Sequence, residues 1–361
     1  MLRRIPRDPV LPFGIKWFGR RAPDVFPFSH KQVHFYGFAR TALLEGLRLF
    51  GIQDGDEVLI PDYICNVILA PLHALKIKAV FYSLDAELRP NWDQLKRSLT
   101  PKTKALMLVN YFGFPNDLET AQKFCREHGI YFIEDNAHGF LSARRKEPLG
   151  SFGDFSIFSF RKTFPVPNGA CLLINREPKS KFAHKTAALK QKNESKNLLK
   201  KYIFSLSYLT GISIDSRRSN PTELLTMTEK DKQEEYEMDD FLIEMAGIGH
   251  RMLRGFDYEQ HRQIRRLMYK NWSVCFREKQ NHFGRALFSN LEEGVVPQVF
   301  PVISEQRDEL IKQMWQSGIE CYPWPFLPKG SSETHFSKRI VCLPVFPFFN
   351  INSFIKSQDN K

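Results

Sequence analysis

Residues 132–170 read FIEDNAHGFLSARRKEPLGSFGDFSIFSFRKTFPVPNGA, and this stretch determines the fold of the chain. A short apolar run at 131–133 ends at Glu134 and Asp135, and a second run at 155–160 ends before Lys162. Both runs predict buried strands, because each is short, apolar and followed by polar residues. Ligands of an open parallel sheet bind just beyond the carboxyl ends of its strands. We therefore expect Asp135 and Lys162 to meet at that edge.

A carboxylate and an amine at one sheet edge suit a pyridoxal phosphate site. The lysine would bind the cofactor aldehyde covalently, and the carboxylate would keep the pyridine nitrogen protonated. Structural alternatives exist for both residues. A lysine after a strand is usually a solvated surface residue, and an aspartate at a strand end often caps the next helix. The two residues alone leave these alternatives open, so the surrounding sequence has to decide.

The surrounding sequence resembles the DegT/DnrJ/StrS family of sugar aminotransferases, which are fold-type I pyridoxal phosphate enzymes. The resemblance runs in order from about Phe38 to Phe348, which makes it more specific than any single motif. The matching stretches are GIQDGDEVLIPDYICNVI, TPKTKALMLVNYFGFPNDLE, FIEDNAHGF, LGSFGDFSIFSF, RKTFPVPNGA, QRDELIKQMWQSGIECY and CLPVFP.

This resemblance implies a set of site residues. Lys162 would be the lysine that binds the cofactor and moves the substrate proton, and Asp135 would pair with the pyridine nitrogen. His138 would lie beside the cofactor ring. Phosphate contacts and a ring contact are implied for Arg40, Thr41, Ser159 and Cys65. Tyr63 is aromatic, but it stands two positions before the expected stacking residue, where the chain has Cys65.

The chain departs from the family pattern at three places. Lys162 stands three residues after Ser159, where the family spacing is five, and counting seven residues back from Gly169 identifies it. The family's SGT is ART at residues 39–41, and its GEGG is PNGA at residues 167–170. Arg40 could supply charge to a phosphate or obstruct its pocket. These changes predict a divergent branch with an unusual acceptor, or a loss of activity.

Composition restricts the remaining function classes. The chain has 361 residues, a net charge of +12 and 42% hydrophobic residues, which suffices for a sizeable core. Its six cysteines are scattered without a CxxC pair, so neither a disulfide framework nor a zinc site is predicted, and a cytoplasmic location is expected. No apolar run could span a bilayer, and the start lacks a clean signal segment. The charge favours anionic partners, but no nucleic-acid motif is present.

The order of apolar runs predicts the architecture. Strands alternate with helices from residue 40 to 175, which indicates an α/β fold with a doubly wound, mostly parallel sheet. With the family resemblance, this predicts an aspartate-aminotransferase-like protein: an N-terminal arm (1–35), a large cofactor-binding domain (36–242) and a smaller C-terminal α+β domain (243–361). Within the last, residues 243–272 predict one long helix. The basic, proline-rich arm would drape over the body or a partner subunit, or make a weak membrane-surface contact.

Three functional hypotheses follow. The resemblance implies a homodimeric aminotransferase that moves an amino group from an amino acid, commonly glutamate, to a keto sugar attached to a nucleotide diphosphate. A sugar dehydratase on the same scaffold is a second hypothesis, although the known dehydratase branch has a histidine where this chain keeps Lys162. A non-catalytic family member is the third, supported only by the ART and PNGA departures.

Overall fold

The computed structural model describes residues 5–10, 23–178, 189–191, 194–210, 241–278, 284–324, 327, 336 and 338–345. The strands of these ranges are β1 Val33–Tyr36, β2 Glu57–Pro61, β3 Lys78–Tyr82, β4 Thr103–Val109, β5 Tyr131–Asn136, β6 Ala143–Arg144, β7 Glu147–Pro148, β8 Phe155–Ser159, β9 Ala170–Ile174, β10 Arg285–Ala286, β11 Phe300–Ile303, β12 Tyr322–Pro323 and β13 Ile340–Leu343. The α-helices are α1 Ala39–Leu49, α2 Leu69–Ala74, α3 Trp92–Arg97, α4 Leu118–His128, α5 Ser195–Thr210, α6 Gly247–Leu253, α7 Tyr258–Glu278 and α8 Arg307–Gln316.

A seven-stranded sheet with the order β1-β9-β8-β5-β4-β2-β3 forms the larger layer. The pairs from β3 to β8 are parallel, whereas β9 runs antiparallel to both of its neighbours. Helices α2, α3 and α4 are the crossovers between successive parallel strands, as the alternating pattern predicts. The α/β, doubly wound class expected from the sequence is the one observed.

Both faces of this sheet are covered, which explains why its strands are apolar without alternation. On one face, Ala105 and Met107 join a core with helix α1. On the other face, Leu106 and Leu108 pack in a second core with helix α4. Since neighbouring residues of a strand point to opposite faces, a continuous apolar run is needed to fill both cores.

A smaller antiparallel sheet with the order β10-β11-β13-β12 forms the second layer. Its strands belong to the same hydrophobic core as one face of the large sheet, together with residues of α7 and α8. The described part of the N-terminal arm also reaches this region, because Ile5 forms a parallel bridge with Ile319. The rest of the arm, at residues 1–4 and 11–22, lies outside the described residues.

The prediction of one long helix over residues 243–272 is wrong. Two helices, α6 and α7, occupy this range and are separated by residues 254–257. The side chain of Asp257 accepts a hydrogen bond of 2.9 Å from the Gln260 backbone N–H, so it caps the start of the second helix. Gly255 precedes this cap and lowers the helix propensity at the break.

The division into three domains stays a prediction, but two observations concern the positions of its boundaries. Strand β1 crosses the boundary placed between residues 35 and 36. Met245 and Met252, assigned to the small domain, pack on Phe160 and Leu173 of the large sheet. None of the described helices combines the length and hydropathy needed to cross a membrane.

Candidate active site

The carboxyl ends of parallel strands β4, β5 and β8 form the floor of a pocket. Val109 lies beside Asp135, and Asp135 lies beside Ile157, so the three strands end at the same level. The pocket is open to solvent, and its empty space, with the solvent at its mouth included, is about 660 Å³. Six residues predicted from the sequence line it: Arg40, Cys65, Asp135, His138, Ser159 and Lys162.

Lys162 reaches the pocket from a 3₁₀ turn, Phe160–Lys162, that begins directly after β8. The turn is closed by hydrogen bonds from Thr163 and Phe164 to the Phe160 carbonyl. A 3₁₀ turn advances the chain over few residues, which accounts for the short spacing between Ser159 and Lys162. The local sequence therefore delivers the amine to the sheet edge despite the shortened segment.

The amine of Lys162 lies 3.0 Å from His138 Nε2. His138 is buried, and its ring stacks on Phe112 with 5.5 Å between the centroids. The Phe112 backbone N–H donates to His138 Nδ1 at 3.2 Å, so Nδ1 is the unprotonated nitrogen. In a neutral imidazole the proton is then on Nε2, which donates to the lone pair of a neutral Lys162 amine.

Burial shifts the pKa values of Lys162 and His138 towards the neutral forms that their hydrogen bond requires. It lowers the pKa of Lys162 below its ordinary value; Cys65 and Asp135 act against this shift, and Arg161 and Arg40 act with it. Burial and the nearby lysine also hold the pKa of His138 well below its usual value. Burial raises the pKa of Asp135, while the Ala137 N–H and Lys162 oppose that rise. Burial therefore favours the uncharged forms of both Lys162 and His138.

Asp135 is fixed at the end of β5 by its own turn. Its Oδ1 accepts a hydrogen bond of 2.8 Å from the Ala137 N–H, and Gly139 N–H closes the turn on the Asn136 carbonyl. One edge of the carboxylate is therefore held by the backbone. Because the residue also lines the pocket, the carboxylate can accept a further hydrogen bond from a cationic nitrogen there.

A second carboxylate, Glu134, precedes Asp135 in β5 and lies beneath the pocket floor. The sequence alone indicated no role for it beyond marking the end of a strand. It is completely buried and accepts backbone hydrogen bonds from Gly150, Phe152 and Gly153 at 2.6, 3.0 and 3.1 Å. The side-chain amide of Asn110 donates to it at 2.9 Å. Glu134 therefore joins the ends of β4 and β5 to the loop that leads into β8.

The side wall of the pocket includes an aromatic residue that sequence reasoning missed. Trp324, which follows β12, lines the pocket, and its ring lies 5.0 Å from the ring of His138 and 5.2 Å from that of Phe112. Tyr63 is fully buried, and its hydroxyl donates to the Trp324 carbonyl, so it supports this wall from behind. Cys65 also lines the pocket, and its predicted contact with the cofactor ring stays a prediction.

The first turn of α1 faces the pocket through Phe38, Ala39 and Arg40. Helix N-termini favour anions, so this end of the pocket suits a phosphate. The structure does not place Thr41 in the lining: its hydroxyl donates to the Phe241 carbonyl at 2.5 Å. Arg40 lies over the Phe241 ring at 3.7 Å. The predicted role of Thr41 in phosphate binding stays a prediction, and Phe241 is a neighbour that the sequence did not reveal.

These residues fit pyridoxal phosphate by the chemistry of their donor atoms. An amine poised to react, a carboxylate beside it and a helix N-terminus with Ser159 correspond to the aldehyde, the pyridine nitrogen and the phosphate of that cofactor. Among the described ranges, no three His, Cys, Asp or Glu side chains are grouped closely enough to hold a metal ion.

Comparisons with known proteins bear on the family and the fold of this chain. Residues 37–203 match the model of the DegT/DnrJ/EryC1/StrS aminotransferase family. The GDP-perosamine synthase of Vibrio cholerae is 32% identical over 140 residues, which cover 38% of this chain and 38% of that protein. The dTDP-4-dehydro-2,3,6-trideoxy-D-glucose 4-aminotransferase of Saccharopolyspora spinosa is 31% identical over 158 residues, 41% of each chain. The chain thus matches less than half of the length of these curated relatives.

A solved structure matches over a greater length. The PLP form of a putative sugar aminotransferase from Streptococcus pneumoniae has a TM-score of 0.66 and 17% identity, and the match covers 99% of this chain and 97% of that one. At this identity the likeness shows the fold. It confirms the predicted aspartate-aminotransferase-like α/β architecture.

Proposed function

We propose that the chain is a pyridoxal phosphate-dependent aminotransferase, since residues 37–203 match the model of the DegT/DnrJ/EryC1/StrS aminotransferase family. It transfers the amino group of an amino acid, glutamate by preference, to a keto sugar carried by a nucleotide diphosphate. The observation that carries this proposal is the 3.0 Å contact between the Lys162 amine and His138 in the pocket that Asp135 lines. Amino-sugar or surface-polysaccharide synthesis would use such a product.

Pyridoxal phosphate, when bound, supplies an aldehyde that condenses with amines and a ring that accepts electrons. The Asp135 carboxylate holds a proton on the ring nitrogen, because an ionised acceptor favours a cationic donor. Ser159 and the first turn of α1 hold the phosphate. The Lys162 amine accepts the proton from the substrate carbon, a step for which its lowered pKa is suited, since a general base works best when its pKa is near the working pH.

His138 would orient this amine. Its Nε2–H donates to the Lys162 lone pair when the amine is neutral, and the stack on Phe112 keeps the imidazole plane fixed. Because burial lowers the pKa of His138, the ring stays neutral and does not compete with the substrate for a carboxylate. The imidazole thus acts as a support for the base.

Charge at the pocket supports an anionic acceptor. Arg40 and Arg161 both line the pocket, and the whole chain carries a net charge of +12. A nucleotide diphosphate carries two negative phosphates, which guanidinium groups bind well. The names of the two curated relatives, which refer to GDP and dTDP sugars, agree with this class of acceptor. The homodimer, the cytoplasmic location and the membrane-surface contact of the arm stay predictions.

Borohydride reduction tests the assignment of the lysine. Protein incubated with pyridoxal phosphate, reduced and digested should carry the cofactor on the peptide that contains Lys162. The Lys162→Ala variant should carry none there, whereas Lys146→Ala, which removes an exposed lysine of the β6–β7 hairpin, should label like the wild type. Label spread over surface lysines in all three proteins would overturn the proposed function.

A half-reaction separates an aminotransferase from the alternatives. Glutamate added to the loaded protein should convert the cofactor to its pyridoxamine form, and a keto sugar nucleotide should convert it back. The sugar product separates the first two hypotheses: an aminotransferase leaves the glutamate nitrogen on the sugar, whereas a dehydratase releases a deoxy sugar without it. A non-catalytic member, favoured by the engagement of Thr41 with Phe241, would show neither conversion.

A further inference from the structure

A buried arginine on helix α7 contacts the site without lining it. Arg265 is completely buried, and its guanidinium donates to three backbone carbonyls: NH1 to Pro297 and Gln298 at 2.9 Å each, and NH2 to Thr163 at 2.9 Å. Its Nε donates to His261 Nε2 at 2.7 Å. Burial lowers its pKa, but not far enough to remove its charge near neutral pH.

Two of these carbonyls belong to segments that hold the catalytic pair. Thr163 directly follows Lys162, so Arg265 holds the backbone of the lysine turn. On the other side, the Gln298 N–H donates to the Phe112 carbonyl at 2.8 Å, and the Phe112 N–H donates to His138 Nδ1 at 3.2 Å.

The hydrogen bonds therefore form a closed circuit. From Lys162 Nζ it runs to His138, through the Phe112 peptide to Gln298, through Arg265 to Thr163, and back along the chain to Lys162. Each contact in the circuit is at most 3.2 Å long. The planar guanidinium group of an arginine suits this position, because its fixed N–H donors can hold two chain segments relative to each other.

Phe112 needs this support. Its φ is +57°, in the left-handed region that a bulky residue adopts only when its surroundings impose it. The following Gly113 has a φ of +93°, and a Cβ there would lie 2.5 Å from the Val296 carbonyl oxygen. The turn is thus pressed against the segment that Arg265 binds. Its strained backbone points the Phe112 N–H at His138.

We propose that Arg265 is a positioning residue: it ties the turn after Lys162 to segment 297–298 and, through Phe112, holds His138 Nε2 against the Lys162 amine. The catalytic meaning of this arrangement rests on the proposed function. The contact itself does not, because it exists between groups of the protein alone.

Titration of Lys162 in the cofactor-free protein reports on the circuit. Competitive acetylation across the neutral and alkaline range, followed by mass spectrometry of the Lys162 peptide, gives the pH midpoint of its reactivity. The charged or titratable groups that face this amine are His138, Asp135, Cys65, Arg161 and Arg40. They are unchanged in the variants below, so a shift reports on how the amine is placed among them.

Arg265→Met and Arg265→Lys are the informative variants. Both should move the midpoint of Lys162 upward, towards that of exposed lysines, by about one pH unit, a tenfold change in the proton affinity of the amine. Lysine keeps the charge but cannot bond carbonyls on two segments at once. A shift in Arg265→Lys therefore separates positioning from the loss of a nearby charge.

Arg266→Met is the matched control. Arg266 precedes Leu267 on the same helix and also donates to backbone carbonyls, those of Glu292 and Val295. Its hydrogen bonds go to these two carbonyls rather than to Thr163 or Gln298, so its removal should leave the Lys162 midpoint unchanged. An equal shift in this control, or an unshifted midpoint in Arg265→Lys, would overturn the proposal.

The wild-type protein supplies a test in which a variant serves only to assign a signal. Nitrogen-15 NMR of labelled histidines, with His138→Gln to assign the signal, gives the tautomer of His138. The Nε2–H form is expected from the circuit, and the Nδ1–H form would refute it. If borohydride fixes no cofactor at Lys162, the proposed function fails, whereas these measurements on the cofactor-free protein still decide the role of Arg265.

Discussion

Replacing Glu134 by glutamine probes the carboxylate that holds the pocket floor together. Each oxygen of Glu134 accepts two hydrogen bonds: Oε1 from Gly150 and Asn110, and Oε2 from Phe152 and Gly153. Glutamine has the same shape but only one acceptor oxygen. In either orientation, its NH₂ group faces two N–H donors, so two of the four hydrogen bonds are lost.

The cost follows from these contacts. Two hydrogen bonds to a charged group contribute about 1.5–3 kcal/mol each, and the two that remain become neutral and lose about 1 kcal/mol each. Burial raises the pKa of Glu134, which shows that the ionised form pays a desolvation penalty in this site. Its removal offsets about 2–3 kcal/mol. The free energy of unfolding should therefore fall by about 2–6 kcal/mol in Glu134→Gln.

Urea unfolding, followed by fluorescence and circular dichroism, measures this change. Glu119→Gln is the matched control, because Glu119 is half exposed and has a single ion pair, with Arg144 at 2.6 Å. Its free energy of unfolding should change by less than about 1 kcal/mol. If Glu134→Gln is no more destabilised than Glu119→Gln, the carboxylate does not hold loop 150–153, and the account of the pocket floor is wrong.

Two further predictions concern pH and accessibility. His138 has a lowered pKa in the folded protein, so below about pH 6.5 the unfolded chain binds more protons than the folded one. The free energy of unfolding should therefore fall by up to about 1.4 kcal/mol per pH unit on acidification. Urea titrations at several pH values measure this fall, and His138→Gln should lack the component due to His138. Cys65 lines the pocket, so bound pyridoxal phosphate should slow its reaction with iodoacetamide by about tenfold or more. Cys125 is buried and should stay unlabelled with or without the cofactor. Equal labelling of Cys65 in both states would contradict the site.

The sequence was informative wherever a site residue is placed by its own strand. Asp135 and Ser159 end β5 and β8, and Lys162 lies in the turn that follows. The direction of a parallel strand fixes which sheet edge its last residue reaches, so apolar runs and their polar ends suffice. This is why these three predicted residues line one pocket, whereas Arg40, Cys65 and His138 were predicted from the family resemblance.

Residues placed by distant contacts gave no such signal. Trp324 and Arg265 reach the site from the small sheet and from α7, more than 100 residues after Lys162. Nothing in the neighbouring sequence distinguishes Trp324 from an ordinary core tryptophan, or Arg265 from an ordinary helical arginine. The break between α6 and α7 was also missed, because the apolar periodicity continues across it and only the cap at Asp257 ends the pattern.

The charge state of the pocket is a result of these distant contacts. In one pocket, Asp135 and Lys162 could neutralise each other as an ion pair, and an amine so protonated would be a poor base. The Phe112 N–H prevents this, because it occupies His138 Nδ1 and leaves Nε2–H to donate to the amine. This hydrogen bond favours the neutral form of the lysine. Burial raises the pKa of Asp135, and the Ala137 N–H and Lys162 act against that rise. A protonated ring nitrogen beside Asp135 would further favour its ionised form, and a charged carboxylate next to a neutral amine is the division that a pyridine aldehyde requires.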